Sequence, residues 1–410
     1  MQLQSRARRY SRVVGLLYQK KDIKARLKSA TRGARHLSLG IRLADPLTLG
    51  AALKMSDSLA LAVNVSTVIS GRVDGLVNYQ FQLPGGYWQH YTRADLSSGL
   101  GVGLGESRRE VVFSFDPPHT LVAGSTGSGK SETLRTILAG LMTAHEPPEL
   151  GVILVDPHND FESFASCSHL VMPTAGDDES IDRAITYAGQ ELARRREHSI
   201  KDGRRLVVAI DEAQTTLPRD KAYLEIVTRI GEGGRKYRIH LLLASQRATA
   251  KNLPMINSLR NRFVGAVSDA RESSFVSGHA DLQCHKLTGS GDTVHVAGPV
   301  RQRFQVALCS DDDLATLPRG QIVEPPDVAG EDTNPTLNFP TSKPPGRPET
   351  EIEPVKVAHY LAHGPQNITI AWARDNLDLA RYAHSKHRDF ATELAEELAK
   401  LQRAMEESDE

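Results

Sequence analysis

Cysteine and long apolar runs are scarce in this 410-residue chain, and each shortage rules something out. Its three cysteines, Cys167, Cys284 and Cys309, are scattered and odd in number. They form no disulfide framework, so reduced thiols in a cytoplasmic setting are expected. No uninterrupted apolar stretch approaches the roughly 18–20 residues of a membrane span. Direct membrane insertion is therefore not expected. The opening MQLQSRARRYSRVV is basic but has neither an apolar core nor a small-residue cleavage site, so it does not read as a secretory signal. Neither charge predominates, because 50 Lys and Arg balance 50 Asp and Glu.

What is present is enough chain for two or three domains with full cores. Charge is balanced overall but unevenly placed. Residues 1–35 hold eleven basic side chains against Asp22 alone. Such a block suits phosphate backbones or an acidic partner, or it is a solvated helix face. The segment 36–98 reads as a small α+β region. From about residue 81 the pattern turns to strand–turn–helix alternation. HTLVAG (119–124), LGVILVD (150–156), LVVAID (206–211), IHLLLAS (239–245) and FVGAVS (263–268) are apolar runs of strand length. Helical spacing separates them, as in 130–145 and 180–198. Short apolar strands between helices predict an α/β domain, 99–317, with a parallel central sheet covered on both faces. Residues 318–354 carry nine prolines and little apolar content, which predicts an extended linker. Helical spacing returns over 355–410.

The segment Gly124-Ser125-Thr126-Gly127-Ser128-Gly129-Lys130-Ser131 fits the phosphate-loop pattern G-x-x-x-x-G-K-[ST], with a strand before it and a helix after it. Its glycines let the backbone wrap so that N–H groups face phosphate oxygens, and the helix adds its positive end. Together with Glu132, these eight residues are the candidate ATP contacts. Lys130 is placed to reach the β- and γ-phosphates, and Ser131 to ligate Mg²⁺. Such a loop needs an acid on a neighbouring strand. LVVAIDEAQ supplies Asp211 for the metal and Glu212 to polarise the attacking water. One strand later Ser245 and Gln246 leave the sheet, and an amide there can sense the nucleotide by donating to phosphate and accepting from water.

The order of phosphate loop, Asp-Glu strand end and IHLLLASQR resembles the FtsK/HerA superfamily of RecA-like ATPases, and most closely FtsK/SpoIIIE. The likeness runs from about Gly99 to Asp312. LGVILVDPHND is similar to that family's strand ending in Asp-Pro-Lys, with His158 in place of the lysine. RIHLLLASQRAT is similar to its I-H-L-x-x-A-T-Q-R-P, with Ser245 for Thr and Ala248 for Pro. LTGSGDTVHVAG is similar to its late strand turn. The resemblance implies an ATP hydrolase that translocates double-stranded DNA as a homo-hexameric ring, with ATP at subunit interfaces. It implies a transition-state arginine donated by a neighbouring subunit, matched here by Arg262 with Arg260 in reserve. It also implies pore-loop DNA contacts near 269–290, with Arg271 and Lys286, and with Arg235 and Lys236 as second candidates. The tail resembles either a small helix-turn-helix, with Arg381, His384, Lys386, His387 and Arg388 on or near its third helix, or a helical oligomerisation element. Rival readings are a protein-secretion motor, a conjugative coupling protein, and an accessory that grips DNA with ATP as a switch.

Overall fold

The computed structural model describes residues 2–320 and 322. The chain divides into a unit spanning Met1–Pro326, which holds all of them, and a second over Asp327–Glu410. The linker from 323 onward and the 355–410 tail, with its five basic residues named above, lie outside the described residues.

The unit begins with helix α1 (Gln2–Lys20), strands β1 (Ala25–Arg32) and β2 (His36–Leu43), and helices α2 (Leu49–Leu53) and α3 (Ser56–Val63). Strands β3 (Val68–Val73) and β4 (Leu76–Gln82) follow. The four strands form an antiparallel sheet in the order β1-β2-β4-β3. Alternation sets its buried face, because Val77, Tyr79 and Phe81 of β4 all point inward. Asp74-Gly75 joins β3 to β4, both residues having positive φ, as a two-residue hairpin turn requires. The basic segment expected over 1–35 supplies α1 and β1, and its Tyr10, Val14, Tyr18 and Ile23 join this core. Tyr10, Val14 and Tyr18 recur at helical spacing and pack on the sheet, with Tyr10 stacked 4.8 Å from Phe81. Arg8, Arg9 and Arg12 stay on the exposed face of α1.

The rest of the unit is built on one large sheet. Its strands are β5 (Tyr91–Thr92), β6 (Gly101–Gly105), β7 (Glu110–Val112), β8 (Thr120–Ala123), β9 (Leu150–Val155) and β10 (Arg205–Ile210). They continue with β11 (Ile239–Ser245), β12 (Asn261–Val264), β13 (Asp292–Ala297) and β14 (Val300–Leu308). The order is β7-β6-β14-β13-β12-β8-β11-β10-β9, with β5 on β14. Helices α4 (Lys130–Ala144), α5 (Asp178–Glu197), α6 (Ala213–Thr216), α7 (Lys221–Gly233), α8 (Ala270–Ser277) and α9 (Asp311–Ala315) connect them. Leu134, Ile137 and Leu138 of α4 cover one face, against Val152, Val207 and Leu242. Ile181 and Ile185 of α5 and Ile226 and Ile230 of α7 cover the other, against Ile153, Val208 and Leu241. Adjacent strand residues thus serve opposite cores, which is why these strands read as continuous apolar runs.

The sheet is mixed, which corrects the expected parallel one. Strands β12, β8, β11, β10 and β9 are parallel. Beyond them the pairs β12–β13, β13–β14, β14–β6 and β6–β7 are all antiparallel. The cause is local. Only Gly298 and Pro299 lie between the paired residues Ala297 and Val300, too few for a crossover, so the chain must turn straight back. The run 263–268 is also shorter as a strand than expected. It leaves the sheet after Val264, and Ala266 O then accepts from Ser125 N at 2.7 Å.

Candidate functional site

Five parallel strands end on the same side, and the phosphate loop, Asp211, Glu212 and Gln246 each follow one of those ends. Such a crevice beyond the carboxyl ends of an α/β sheet is where this architecture binds ligands. The loop 124–129 leaves β8 and opens α4. Gly127 and Gly129 have φ of 77° and 95°, which only glycine adopts freely. A Cβ on Gly129 would sit 2.4 Å from Gly291 N, so the close packing of the two loops also demands glycine. The first N–H groups of α4 lack helical acceptors and face this loop's concavity, a setting that favours anions.

Lys130 is buried and donates to Asp211 Oδ1 at 2.7 Å and to Glu212 Oε1 at 2.9 Å. Burial works against its ammonium, but the two carboxylates outweigh it and its pKa is raised. Glu212 sits at the centre of the site. It accepts from Lys130, from Gln214, and from Gln246 Nε2 at 2.7 Å. Burial would raise its pKa, yet these donors hold it below the ordinary glutamate value, so it is a carboxylate at neutral pH. Its backbone is left-handed, φ 48° and ψ 43°, a strained state for a non-glycine residue and one that clusters at functional sites. Gln246 closes the network, because its Oε1 accepts from Thr126 Oγ1 at 3.0 Å. One amide therefore ties the phosphate loop to the acid.

Other expected contacts sit differently. Ser128 is buried against Gly124 and Gly265 with no partner for its hydroxyl, so it offers a ligand only backbone. The Ser245 hydroxyl is likewise buried without a partner. The Glu132 side chain accepts from Cys309 N at 2.6 Å, which ties α4 to the end of β14, away from the phosphate loop. The Glu132 carboxylate, expected among the ATP contacts, is thus engaged by the backbone of Cys309. Ser131 and Asp211 offer a hydroxyl and a carboxylate, hard oxygen donors that suit Mg²⁺. Among the described residues no group of three or more His, Cys, Asp or Glu could hold a metal, and a Mg²⁺ shared with phosphates needs none. Asp156, at the end of β9, was passed over as a site residue. It is fully buried beside Asp211 and accepts from Asp160 N and Phe161 N, so it fixes the turn that walls this side of the crevice. Its place at an apolar strand end, like that of Asp211, was the available signal.

Residues 87–221, which include the loop, Lys130 and the acid pair, match the FtsK/SpoIIIE family. The ATPase core of the chain is thus similar to the FtsK/SpoIIIE family. It is similar to DNA translocase FtsK of Lactococcus lactis subsp. lactis (strain IL1403), 25% identical over 340 residues, covering 72% of this chain and 44% of that protein. It is also similar to DNA translocase SftA of Bacillus subtilis (strain 168), 30% identical over 226 residues, covering 49% of this chain and 23% of that one. The chain thus spans less than half the length of these relatives. Among solved structures, the cytoplasmic domain of the Thermomonospora curvata Type VII secretion ATPase EccC matches with 25% identity and a TM-score of 0.49. That match covers 57% of this chain and 32% of the other. Among the described residues no helix is long and apolar enough to cross a membrane.

The expected arginine placement differs from the one in the structure. Arg262, matched to the subunit-bridging arginine, is buried on β12. It donates to Leu259 O at 2.7 Å, Ile256 O at 2.9 Å and Val276 O at 3.1 Å. A guanidinium so committed closes off the carbonyl ends of its own loop and of α8. Arg260, two residues earlier, is exposed. Of the DNA candidates, Arg271 and Lys236 are exposed, Arg235 pairs with Asp116 at 3.2 Å, and Lys286 pairs with Asp57 at 3.2 Å. His158 is exposed.

Proposed function

We propose that this chain is an ATP-driven motor that translocates double-stranded DNA, working as a homo-hexameric ring. The observation that carries the catalytic half is the placing of Glu212, ionised and within hydrogen-bond reach of both Lys130 and Gln246. On this reading Lys130 meets the β- and γ-phosphates, which compete with Asp211 and Glu212 for its ammonium. Glu212 takes the proton of the attacking water. Mg²⁺, held by Ser131 and Asp211, supplies charge neutralisation to the phosphates. Gln246 reports the phosphate loop's state to the base. Arg260, in place of Arg262, is the arginine offered to the adjacent subunit. The DNA half is supported by the relatives, DNA translocases by name.

The test measures Mg²⁺-dependent ATP hydrolysis with duplex DNA, single strands and no DNA, alongside displacement of a triplex-forming third strand from a linear duplex. Duplex-specific stimulation with ATP-dependent displacement is expected. Stimulation without displacement would reduce the protein to a DNA-gripping switch. Hydrolysis indifferent to DNA would return the secretion-motor reading.

A further inference from the structure

The nucleotide site is held from outside the large sheet. Arg35 lies in the turn between β1 and β2, yet it is 1% exposed. Its guanidinium lies over the Trp88 ring, 4.4 Å from the centroid. Its Nη1 donates to Gly289 O at 2.9 Å and Thr288 Oγ1 at 3.1 Å, and its Nη2 to Ser290 O at 2.7 Å. The far side of that turn touches the phosphate loop. Ser290 N donates to Gly127 O at 2.8 Å, and Gly291 N to Ser128 O at 2.7 Å. Ser290 is therefore gripped at both ends, its carbonyl by Arg35 and its N–H by the loop. Gly289, Ser290 and Gly291 have φ of 75°, 47° and 84°. Three left-handed residues in succession persist only where the surroundings over-determine them. Arg35 is one such constraint, and its planar fork suits the two successive carbonyls. Gln305 Nε2 is another, donating to Ser290 O at 2.9 Å.

We propose that Arg35 is a positioning residue of the nucleotide site: it fixes the turn 289–291 and, through it, the carbonyls of Gly127 and Ser128. The N-terminal α+β part and ATP affinity are thereby coupled. The inference rests on the ATP-site reading above.

The experiment is equilibrium binding of a fluorescent ATP analogue with Mg²⁺ to the full chain, plus the KM and kcat of hydrolysis. Wild type binds and Lys130→Ala does not, which establishes the site itself. Arg35→Ala weakens binding about tenfold or more, the scale expected when a binding group is displaced by a fraction of an ångström to an ångström. KM rises more than kcat falls, and Arg35→Lys recovers part of the loss. Asp57→Ala removes a different contact between the same two parts and leaves binding unchanged. If Arg35→Ala does not fold, Thr288→Val removes one acceptor while keeping shape, and should shift affinity in the same direction by less. Wild-type affinity in a folded Arg35→Ala, or failing that in Thr288→Val, overturns the proposal. So does an equal loss in Asp57→Ala, which would mean general loosening. Failure of the wild type to bind the analogue would instead sink the ATP-site reading and this inference with it.

Discussion

Arg262→Ala separates two accounts of one residue. As a subunit-bridging finger, Arg262 would be dispensable for folding and essential for hydrolysis. As found, it donates to three buried carbonyls at 2.7–3.1 Å. Hydrogen bonds from charged groups contribute about 1.5–3 kcal/mol each, and an abandoned buried acceptor costs about 1–3 kcal/mol. Removing the guanidinium also relieves its own desolvation, which already lowers its pKa. A net loss of about 4 kcal/mol is a reasonable balance, at the upper end of single-substitution effects. At roughly 2 °C per kcal/mol for a unit of this size, the melting temperature should fall by about 8 °C. The assay is thermal unfolding followed by circular dichroism, with hydrolysis measured well below the transition. Soluble, folded Arg262→Ala should retain most of its turnover. An unshifted melting curve with hydrolysis abolished would refute the interior assignment and restore the finger.

The companion substitution Arg260→Ala should melt like wild type but lose about 10³-fold or more in turnover, recoverable in mixed assemblies with Lys130→Ala; no rescue with mixing confirmed would count against a role in trans. Glu212→Gln should bind the ATP analogue normally and lose about 10²–10⁴ in kcat, and normal turnover would make Glu212 structural. Gly129→Ala places a Cβ 2.4 Å from Gly291 N at φ 95°, so nucleotide binding should vanish while far-ultraviolet circular dichroism is retained. Burial lowers the pKa of His119 and His295 to about 4 and of His240 to about 3. The unfolded chain, with histidines near 6.5, takes up protons first. Stability is therefore full above about pH 6.5 and is lost as pH falls through about 4 to 3. His240→Leu should flatten that slope, and a melting temperature constant between pH 7 and 4 would disprove it.

The parallel half of the sheet was legible because its strands are largely apolar runs, three of which end at Gly124, Asp156 and Asp211. The phosphate loop and the Asp211-Glu212 pair were legible because their spacing is itself the chemistry. What was hidden depends on contacts remote in sequence. Strand β6 is GVGLG, with weak strand propensity, and becomes a strand because β14 lies alongside it. Helix α1 did carry a signal, Tyr10, Val14 and Tyr18 on one side, but it was masked by the basic residues Arg6, Arg8, Arg9 and Arg12 around it. Arg262 looked like a surface residue, because nothing local announces that Ile256 and Val276 will bring their carbonyls to it. Arg35 meets a turn more than 250 residues away, a pairing no window along the chain can detect.

The hairpin that breaks the parallel pattern also sets a schedule for synthesis. The loop at 124–129 is finished only when Ser290 and Gly291 close over it, and Gly291 is in turn held by Val306 N. Thr136 of the helix behind the loop likewise waits for Ala307 O. As the chain leaves the ribosome, all the ATP-site motifs named above have emerged well before any of these partners. A nascent chain arrested after β12 would thus display the whole nucleotide signature and hold no nucleotide. The ability to bind should therefore appear only once β14 clears the exit tunnel.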